Sequence, residues 1–453
     1  MFQNAHCMNA AKQGSLWQNE AEFVIREGHV LTMDDALGDL PETDVHIVDG
    51  EIVDIGVALR TPGIAEIDAR GMVVMPGLVD THWHLWNSSL RALVRGDDPV
   101  HGYFPTTLQI GPFFLPEDSY HSVRLGLAEG LASGITTVNN WSHNTRSAQH
   151  ADAELRAMHE MGVRGRFSYG WGQELPLDQM MDLEDLARVQ REGMPDSTLL
   201  TLGAAVRTPV SNPRGAVPIG VVKAEMEAIR ALGLPITMHA RPGVVSVLAA
   251  EGLLGRDLQL VHPQGVSPEE ARLLAASGTT FSCSPVIEMH YAQATRGEIQ
   301  FQELMDHRVQ QSLSVDSSAA SANADYFSCM RALLWSHKQR FGSTVPLPPR
   351  RLLELATIDG ARDLGLDAWI GSLVPGKRAD IILVRTTDAN VAPVIDPVHA
   401  LVYSAQPSNV DTVLVDGKVL LRNGCHTRVD VGGIVSDASA SIHALRRRFA
   451  LAA

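Results

Sequence analysis

The sequence predicts a (β/α)8 TIM-like barrel joined to a small composite β-sandwich formed by its N- and C-terminal segments. Three observations carry this. Between about Met72 and Leu366, eight apolar strand-like runs alternate with amphipathic helical runs. At both ends the pattern is instead short strands with tight turns, and chain ends commonly lie close together. The third is length: 453 residues exceed one small core and suit a barrel with an appendage.

In chain order, residues 1–19 are polar and irregular and read as an N-terminal arm. Residues 20–71 hold the first part of the sandwich. Phe23-Val24-Ile25, Val30-Leu31 and Val45-His46-Ile47-Val48 read as strands, and Asp49-Gly50 as a hairpin turn into Ile52-Val53-Asp54-Ile55. Residues 72–368 are the barrel. Its strands are expected at Val73–Asp80, Thr136–Trp141, Arg166–Gly170, Leu199–Arg207, Pro235–His239, Leu258–His262, Thr280–Ser284 and Gln311–Asp316. Helical runs separate them at Glu117–Ala132, Asp152–Met161, Leu183–Glu192, Lys223–Leu232 and Pro268–Ala276. Gly134, Gly162, Gly233 and Gly278 follow four of these ends, as helix termini require. Residues 369–430 return to strands, with Ala379–Val384 and Thr412–Val415 leading into a second Asp-Gly turn at Asp416-Gly417. Residues 431–453 read as a helical tail.

The 37 basic and 52 acidic side chains give a formal net charge of −15, which repels phosphate backbones and argues against a nucleic-acid partner. No apolar run of about 18 residues offers a membrane span, and the N-terminus lacks the basic-then-apolar layout of a secretory signal. A cytoplasmic protein with no membrane partner is expected. Cys7, Cys283, Cys329 and Cys425 are scattered without CxxC spacing, so neither a disulfide framework nor a cysteine-rich zinc site is indicated. No strand is followed by a GxGxxG turn, which removes a dinucleotide enzyme.

Barrel enzymes carry their chemistry at the C-terminal ends of the strands. Those ends hold His82 and His84, then His239, His262 and Asp316. His82 and His84 are two residues apart, so strand periodicity aims both at the barrel axis, with Trp83 between them turned towards the helices. The eighth strand closes beside the first and brings Asp316 to the same point. His82, His84, His239 and Asp316 make a set suited to a borderline cation, with a position left for water.

Met75-Pro76-Gly77-Leu78-Val79-Asp80-Thr81-His82-Trp83-His84 resembles the PG-[LF]-[IV]-[DN]-x-H-x-H opening of the amidohydrolase superfamily. Ala356-Thr357-Ile358-Asp359-Gly360-Ala361-Arg362 and the run Ile370–Asp380 resemble its C-terminal pattern. The resemblance extends from about Glu22 to Gly424, and its nearest branch is that of cytosine deaminases, adenosine-type deaminases and triazine hydrolases. It implies a metal-dependent hydrolase holding one divalent metal ion, zinc first and iron, manganese or cobalt as alternatives. It also implies that His262 contacts the reacting water or the substrate. Binuclear relatives bridge their metals with a carboxylated lysine on the fourth strand. Leu199–Arg207 contains no lysine, which favours a single metal.

The resemblance breaks after the fifth strand. Deaminases of this branch carry HxxE there, whereas His239-Ala240-Arg241-Pro242 puts a proline in the glutamate position. Another group must supply that proton, or the reaction needs none. The candidates are His143, Glu288 and His290, each alternatively read as a loop residue or as a partner orienting a ligand. In the resulting mechanism Asp316 is general base, His262 stabilises the developing oxyanion or polarises the electrophile, and Asp316 or His143 returns the proton to the leaving group. Trp86, Trp141, Tyr169 and Trp171 fall near strand mouths, either to stack a planar heterocycle or simply to close the barrel. Arg207 offers a donor fork to a substrate carbonyl or carboxylate, or pairs with a neighbouring acid. Residues 87–115 form a first loop long enough to be a lid or a subunit contact.

The expected activity is attack by metal-activated water on an sp2 carbon of a small heterocyclic or aryl C–N substrate, giving deamination, ring opening or a related displacement. An amide, urea or (thio)carbamate hydrolase is the alternative, and a non-catalytic amidohydrolase-like scaffold the second. Segments 1–19 and 426–453 have no obvious place in the barrel, so a homo-oligomer is expected, with Arg446-Arg447-Arg448 a solvated or subunit-facing end.

Overall fold

The computed structural model describes residues 21–96, 98–211, 215–291 and 299–452, so the expected arm over 1–19 lies outside the described residues. The strands fall into two sheets. The first receives β1 (Glu22–Leu31), β2 (Asp39–Val48), β3 (Glu51–Gly56), β4 (Ala65–Asp68) and β5 (Met72–Pro76) from the N-terminal side. The barrel consists of β6 (Leu78–Trp83), β7 (Ile135–Ser142), β8 (Arg164–Tyr169), β9 (Leu200–Val206), β10 (Ile236–His239), β11 (Leu258–Val261), β12 (Thr280–Cys283) and β13 (Gln311–Leu313). The chain then returns to the first sheet through β14 (Ile381–Arg385), β15 (Val410–Val415), β16 (Lys418–Arg422) and β17 (Cys425–His426).

The barrel strands are parallel and pair in chain order. Closure between the last and the first comes from a parallel bridge of Trp83 with Asp316. There Asp316 N–H donates to the His82 carbonyl at 3.0 Å and His84 N–H to the Asp316 carbonyl at 2.6 Å. Below this bridge the buried Tyr326 hydroxyl lies 2.7 Å from the Val79 carbonyl and 2.6 Å from that of Leu313, tying the same two strands.

Two details depart from the sequence expectation. The run read as one strand, Val73–Asp80, is two. Met72–Pro76 pairs with β14 in the first sheet, and the barrel begins only at Leu78. Gly77 makes the transition possible, because a Cβ there would sit 2.1 Å from Thr136 Oγ1. A register shift between Asp80 and Trp83 then interrupts strict alternation. As a result Thr81 and His82 both face the interior. Thr81 Oγ1 contacts Ser282 and Ser312 across the barrel, while His82 meets the other histidines above it. Trp83 turns outwards as expected, packing where a Cβ on Gly130 would come within 2.9 Å of its ring.

The second departure is the sandwich, which is one continuous mixed sheet of nine strands. The path runs β17-β16-β15-β14-β5-β1-β2-β3, with β4 also on β1. Its buried residues, among them Phe23, Ile25, Val45, Val74, Ile381 and Leu414, form one cluster. Asp49-Gly50 and Asp416-Gly417 all have positive φ, as the predicted two-residue hairpins demand. Barrel and sheet are joined by Arg164 on β8, whose Nε and Nη2 donate to the buried Asp380 carboxylate at 2.7 and 3.0 Å.

Helix α1 (Tyr103–Ile110) stands in the long first loop, followed by α2 (Pro116–Ala132) and α3 (Ala148–Met161). Further on come α4 (Ile219–Ala231), α5 (Pro285–Tyr291) and α6 (Val431–Ala452). The C-terminal helix is not without a place in the chain. Ile442 and Leu445 pack with Trp86, Tyr103, Ile110 and Phe114, and Arg448 pairs with Asp118. The first loop is therefore buttressed from within the same chain. Cys283 and Cys329 are free and buried, whereas Cys425 is disulfide-bonded, which the scattered cysteine pattern did not indicate. No described helix is long and apolar enough to cross a membrane.

Candidate active site

Strand geometry delivers five side chains to one point at the C-terminal mouth of the barrel. His82 is the last residue but one of the first barrel strand, His84 follows that strand, His239 ends the fifth, and His262 and Asp316 follow the sixth and eighth. Nε2 of His239 lies 3.2 Å from Nε2 of His82 and 3.3 Å from Nε2 of His84. The edge of a tetrahedron of nitrogens about 2.0–2.1 Å from a zinc ion is about 3.3–3.4 Å, so this spacing fits one shared ion. Asp316 Oδ1 stands 3.6 Å from His82 Nε2 and 3.4 Å from His84 Nε2. Its other oxygen, Oδ2, is 3.5 Å from His262 Nε2. Two overlapping ligand sets, His82/His84/His239 and His82/His262/Asp316, share His82 and so describe a single centre.

Hydrogen bonds fix which nitrogens face inwards. His84 Nδ1 is 3.0 Å from the Trp141 carbonyl, which can only accept, so Nδ1 carries the proton and Nε2 presents its lone pair. Burial, then the neighbouring His143 and His82 rings, hold His84 well below the ordinary histidine range. Burial and the rings of His82, His84, His262 and His143 do the same to His239. His82 is also lowered by burial, with Asp316 opposing. Neutral imidazoles with converging lone pairs are what a divalent cation requires. Behind them the buried Asp80 accepts the backbone N–H groups of His82 at 3.1 Å and Val315 at 3.0 Å, and burial raises its carboxyl well above the usual range. Asp80 braces the first strand and the segment after the eighth, two of the three places from which ligands come. The sequence reading passed over it, although it stands two residues before His82.

His262 and Asp316 are both left-handed, with φ of 71° and 65°. Non-glycine residues adopt this region rarely and at a cost of order 1 kcal/mol or more. Both lie just past a strand end, where the backbone must turn while the side chain still points at the axis.

A cavity opens above this cluster. Its walls include Tyr103, Phe104, Leu108, Trp171, Leu177, Val217 and Ile287, with His84, His143, His239, His262 and Asp316 at its floor. Tyr103, Phe104, Thr107 and Leu108 come from α1, so the long first loop does cover the site. Among the described lining residues Asp316 is the one carboxylate. Gln173 also faces the cavity and donates to the His143 carbonyl at 2.8 Å, a contact that no motif signals.

The other sequence-predicted residues divide. His143 lines the cavity, with its ring centroid 4.0 Å from that of His84. Arg207 lines it too, but its guanidinium is committed to the Pro176 carbonyl at 2.8 Å, the Gln179 carbonyl, and the buried Glu225 at 3.2 Å. It fastens the loop that carries Trp171 and Leu177. Trp86 does not line the cavity; it is fully buried against Phe114 and donates to His143. Tyr169 is likewise buried outside it, its hydroxyl donating to Asp185 at 2.9 Å. Glu288 sits behind His262, and His290 is exposed at the end of α5, away from the cavity. Short helix α5 explains both: its first turn tucks inwards and its last turn emerges.

The family model described as "Amidohydrolase family" matches residues 73–420. Among curated relatives, a 5'-deoxyadenosine deaminase of Methanosarcina mazei is 27% identical over 94% of this chain and 99% of its own. A 5-methylthioadenosine/S-adenosylhomocysteine deaminase of Pyrococcus furiosus is 25% identical over 89% and 96%. Among solved structures, an adenosine deaminase from Xanthomonas campestris with bound zinc superposes with a TM-score of 0.79 at 23% identity, covering 94% of this chain and 99% of that one. A zinc complex of atrazine chlorohydrolase from Arthrobacter aurescens gives 0.79 at 21%, covering 93% and 100%.

Proposed function

The chain belongs to the amidohydrolase family, and from that premise we propose that it is a metal-dependent hydrolase of a carbon–nitrogen bond in a small planar heterocycle, acting as a deaminase. The observation that carries this reading is the convergence of three neutral imidazoles and one carboxylate on the floor of an aromatic-walled cavity. His82, His84, His239 and Asp316 would hold one divalent ion, zinc in keeping with the two zinc-bearing structural neighbours. Such an ion supplies a Lewis acid and brings the pKa of a coordinated water down to about 7.

The chain's own residues do the rest. Asp316 divides its two oxygens between the ligand histidines and His262, so it can accept the proton of the attacking water and stay beside the reacting carbon. His262 presents Nε2 beside the other carboxylate oxygen, Oδ2, where it would contact the reacting water and orient it. Asp316 returns that proton to the leaving nitrogen, and His143, on the cavity wall beside His84, donates a hydrogen bond to it. Trp171 and Phe104 offer flat faces for a ring, and the apolar wall excludes water. The relatives are a 5'-deoxyadenosine deaminase and a 5-methylthioadenosine/S-adenosylhomocysteine deaminase, so adenine nucleosides are the first class to test.

Ammonia release is the direct test. The purified protein, loaded with one equivalent of zinc, is incubated with 5'-deoxyadenosine, 5-methylthioadenosine, S-adenosylhomocysteine and atrazine. Ammonia from an adenine nucleoside supports the deaminase. That Asp316 is the one carboxylate among the described lining residues favours one other reading, an amide or urea hydrolase whose leaving nitrogen sits on no ring. In that case a carboxylate or amine product appears instead. Failure to bind metal after reconstitution would overturn both and leave a scaffold.

A further inference from the structure

Glu288 is 1% exposed, lies outside the cavity and faces three donors. Its Oε1 is 3.2 Å from His262 Nδ1 and accepts the Ser284 backbone N–H at 2.7 Å. Its Oε2 accepts from the Cys283 thiol at 3.0 Å. The main chain is held as well, because Gln264 Nε2 donates to the Glu288 carbonyl at 3.0 Å. Every polar neighbour of the carboxylate among these is a donor or can be one. Glu288 therefore acts as an acceptor only, from behind the cavity wall.

The residue it grips is under constraint. His262 holds φ at 71°, and its Nε2 faces Asp316 Oδ2 at 3.5 Å. An imidazole on a strained strand end can rotate about χ2 or exchange tautomers unless its far nitrogen is fixed. Glu288 fixes it. With Nδ1–H donated to Oε1, the only nitrogen left for the cavity is Nε2, aimed at the point where Asp316 and the reacting atoms meet.

We propose that Glu288 is a positioning residue: its carboxylate sets the ring orientation and tautomer of His262, so that Nε2 addresses the reaction centre, and it contacts no substrate. This rests on the hydrolase reading for its consequence in catalysis, though the orientation itself does not. Outer partners of this kind change activity by about 10- to 100-fold when removed.

Two substitutions separate positioning from simple packing. Glu288→Gln keeps an acceptor oxygen for His262 and Ser284 and turns its amide towards the Cys283 sulfur. Glu288→Ala removes the acceptor. In zinc-loaded protein labelled with 15N-histidine, the His262 ring resonances are assigned by their loss in His262→Asn. We expect a single tautomer protonated at Nδ1 in the wild type and in Glu288→Gln, and a shifted or exchange-averaged ring in Glu288→Ala, with one zinc per chain retained in all three. On whichever substrate releases ammonia, kcat is expected to fall about 100-fold in Glu288→Ala and no more than about tenfold in Glu288→Gln, at unchanged KM. Unaltered His262 resonances in Glu288→Ala would overturn the proposal. So would equal loss of kcat and of melting temperature in both variants. The resonance measurement needs no substrate, so failure of the hydrolase reading leaves it intact and is seen separately.

Discussion

Trp86 donates its indole N–H to Nδ1 of His143 across 3.0 Å. An indole nitrogen can only donate, so Nδ1 must accept, and the neutral His143 ring carries its proton on Nε2. Of the two readings of Trp86, a stacking face for substrate or a residue closing the barrel, the structure has the second: it lies buried beneath the site and sets the donor of the residue that faces the cavity. His143→Ala, which removes this hydrogen-bond donor, is accordingly expected to lower kcat by about 10²–10³-fold with metal content unchanged. Trp86→Phe keeps the packing on Phe114 but loses the donor, and should cost about tenfold. Steady-state kinetics beside elemental analysis checks both. A His143→Ala enzyme with wild-type kcat would remove this residue from the mechanism.

Chelation should abolish activity and lower the melting temperature, and one equivalent of zinc should restore both. Two overlapping sets of three donors share His82, and an ion that binds only the folded state stabilises it by about 2.7 kcal/mol at a free concentration one hundred times Kd. His239→Ala is expected to lose the metal and the zinc-dependent rise in melting temperature together. Differential scanning fluorimetry with and without zinc measures the rise, and elemental analysis the stoichiometry. Two ions per chain would contradict the single centre built on His82.

The legible part of this site was what strand periodicity and motif fix. An HxH pair, two later histidines and an aspartate, each at a strand end, suffice to name the cluster, because a barrel leaves its strand ends nowhere else to go. What escaped was set by contacts that no period encodes. Gly77 divides one apolar run into two strands because it must pass Thr136, and hydropathy alone cannot see that approach. Trp86 and Tyr169 are near the mouth in sequence but buried beside it, since the turn of the Leu85–Ala92 3-10 helix and the Tyr169–Asp185 bond decide their direction. Glu288 and His290 are two residues apart on one short helix and end on opposite sides of it.

Glu154 offers a pH-dependent test away from the metal. It is buried under β7, accepting from Asn140 Nδ2 at 2.9 Å and from Ser142 Oγ at 3.0 Å, and burial raises its pKa to about 7. Between the unfolded value near 4.5 and about 7 the folded state binds the extra proton, so stability is full below that window and is lost as pH rises through it. A shift of this size corresponds to roughly 3 kcal/mol. Glu154→Gln, which can keep both hydrogen bonds, should match the wild type near pH 5 and exceed it near pH 8. Urea unfolding at the two pH values gives the difference, and equal gains at both would mean that the charge is not the cause.

The join between barrel and terminal sheet rests on Arg164 and Asp380, a bidentate pair in which both side chains are almost wholly buried. Arg164 also reaches Asp416 Oδ1 at 3.2 Å, and the Asp416 backbone N–H donates to Asp380 Oδ1 at 2.8 Å. Removing one partner of a buried pair strands the other charge, which typically costs about 3–5 kcal/mol. Arg164→Met is therefore expected to lower the unfolding midpoint in urea markedly while leaving metal content unchanged, because β8 contributes no ligand. Arg164→Met combined with Asp380→Asn removes the stranded charge and should recover part of the loss. The two effects are not independent, since the residues touch, and the double-mutant cycle measures their coupling. If the double variant is no more stable than Arg164→Met, the cost lies in lost packing between the two sheets and not in the uncompensated carboxylate.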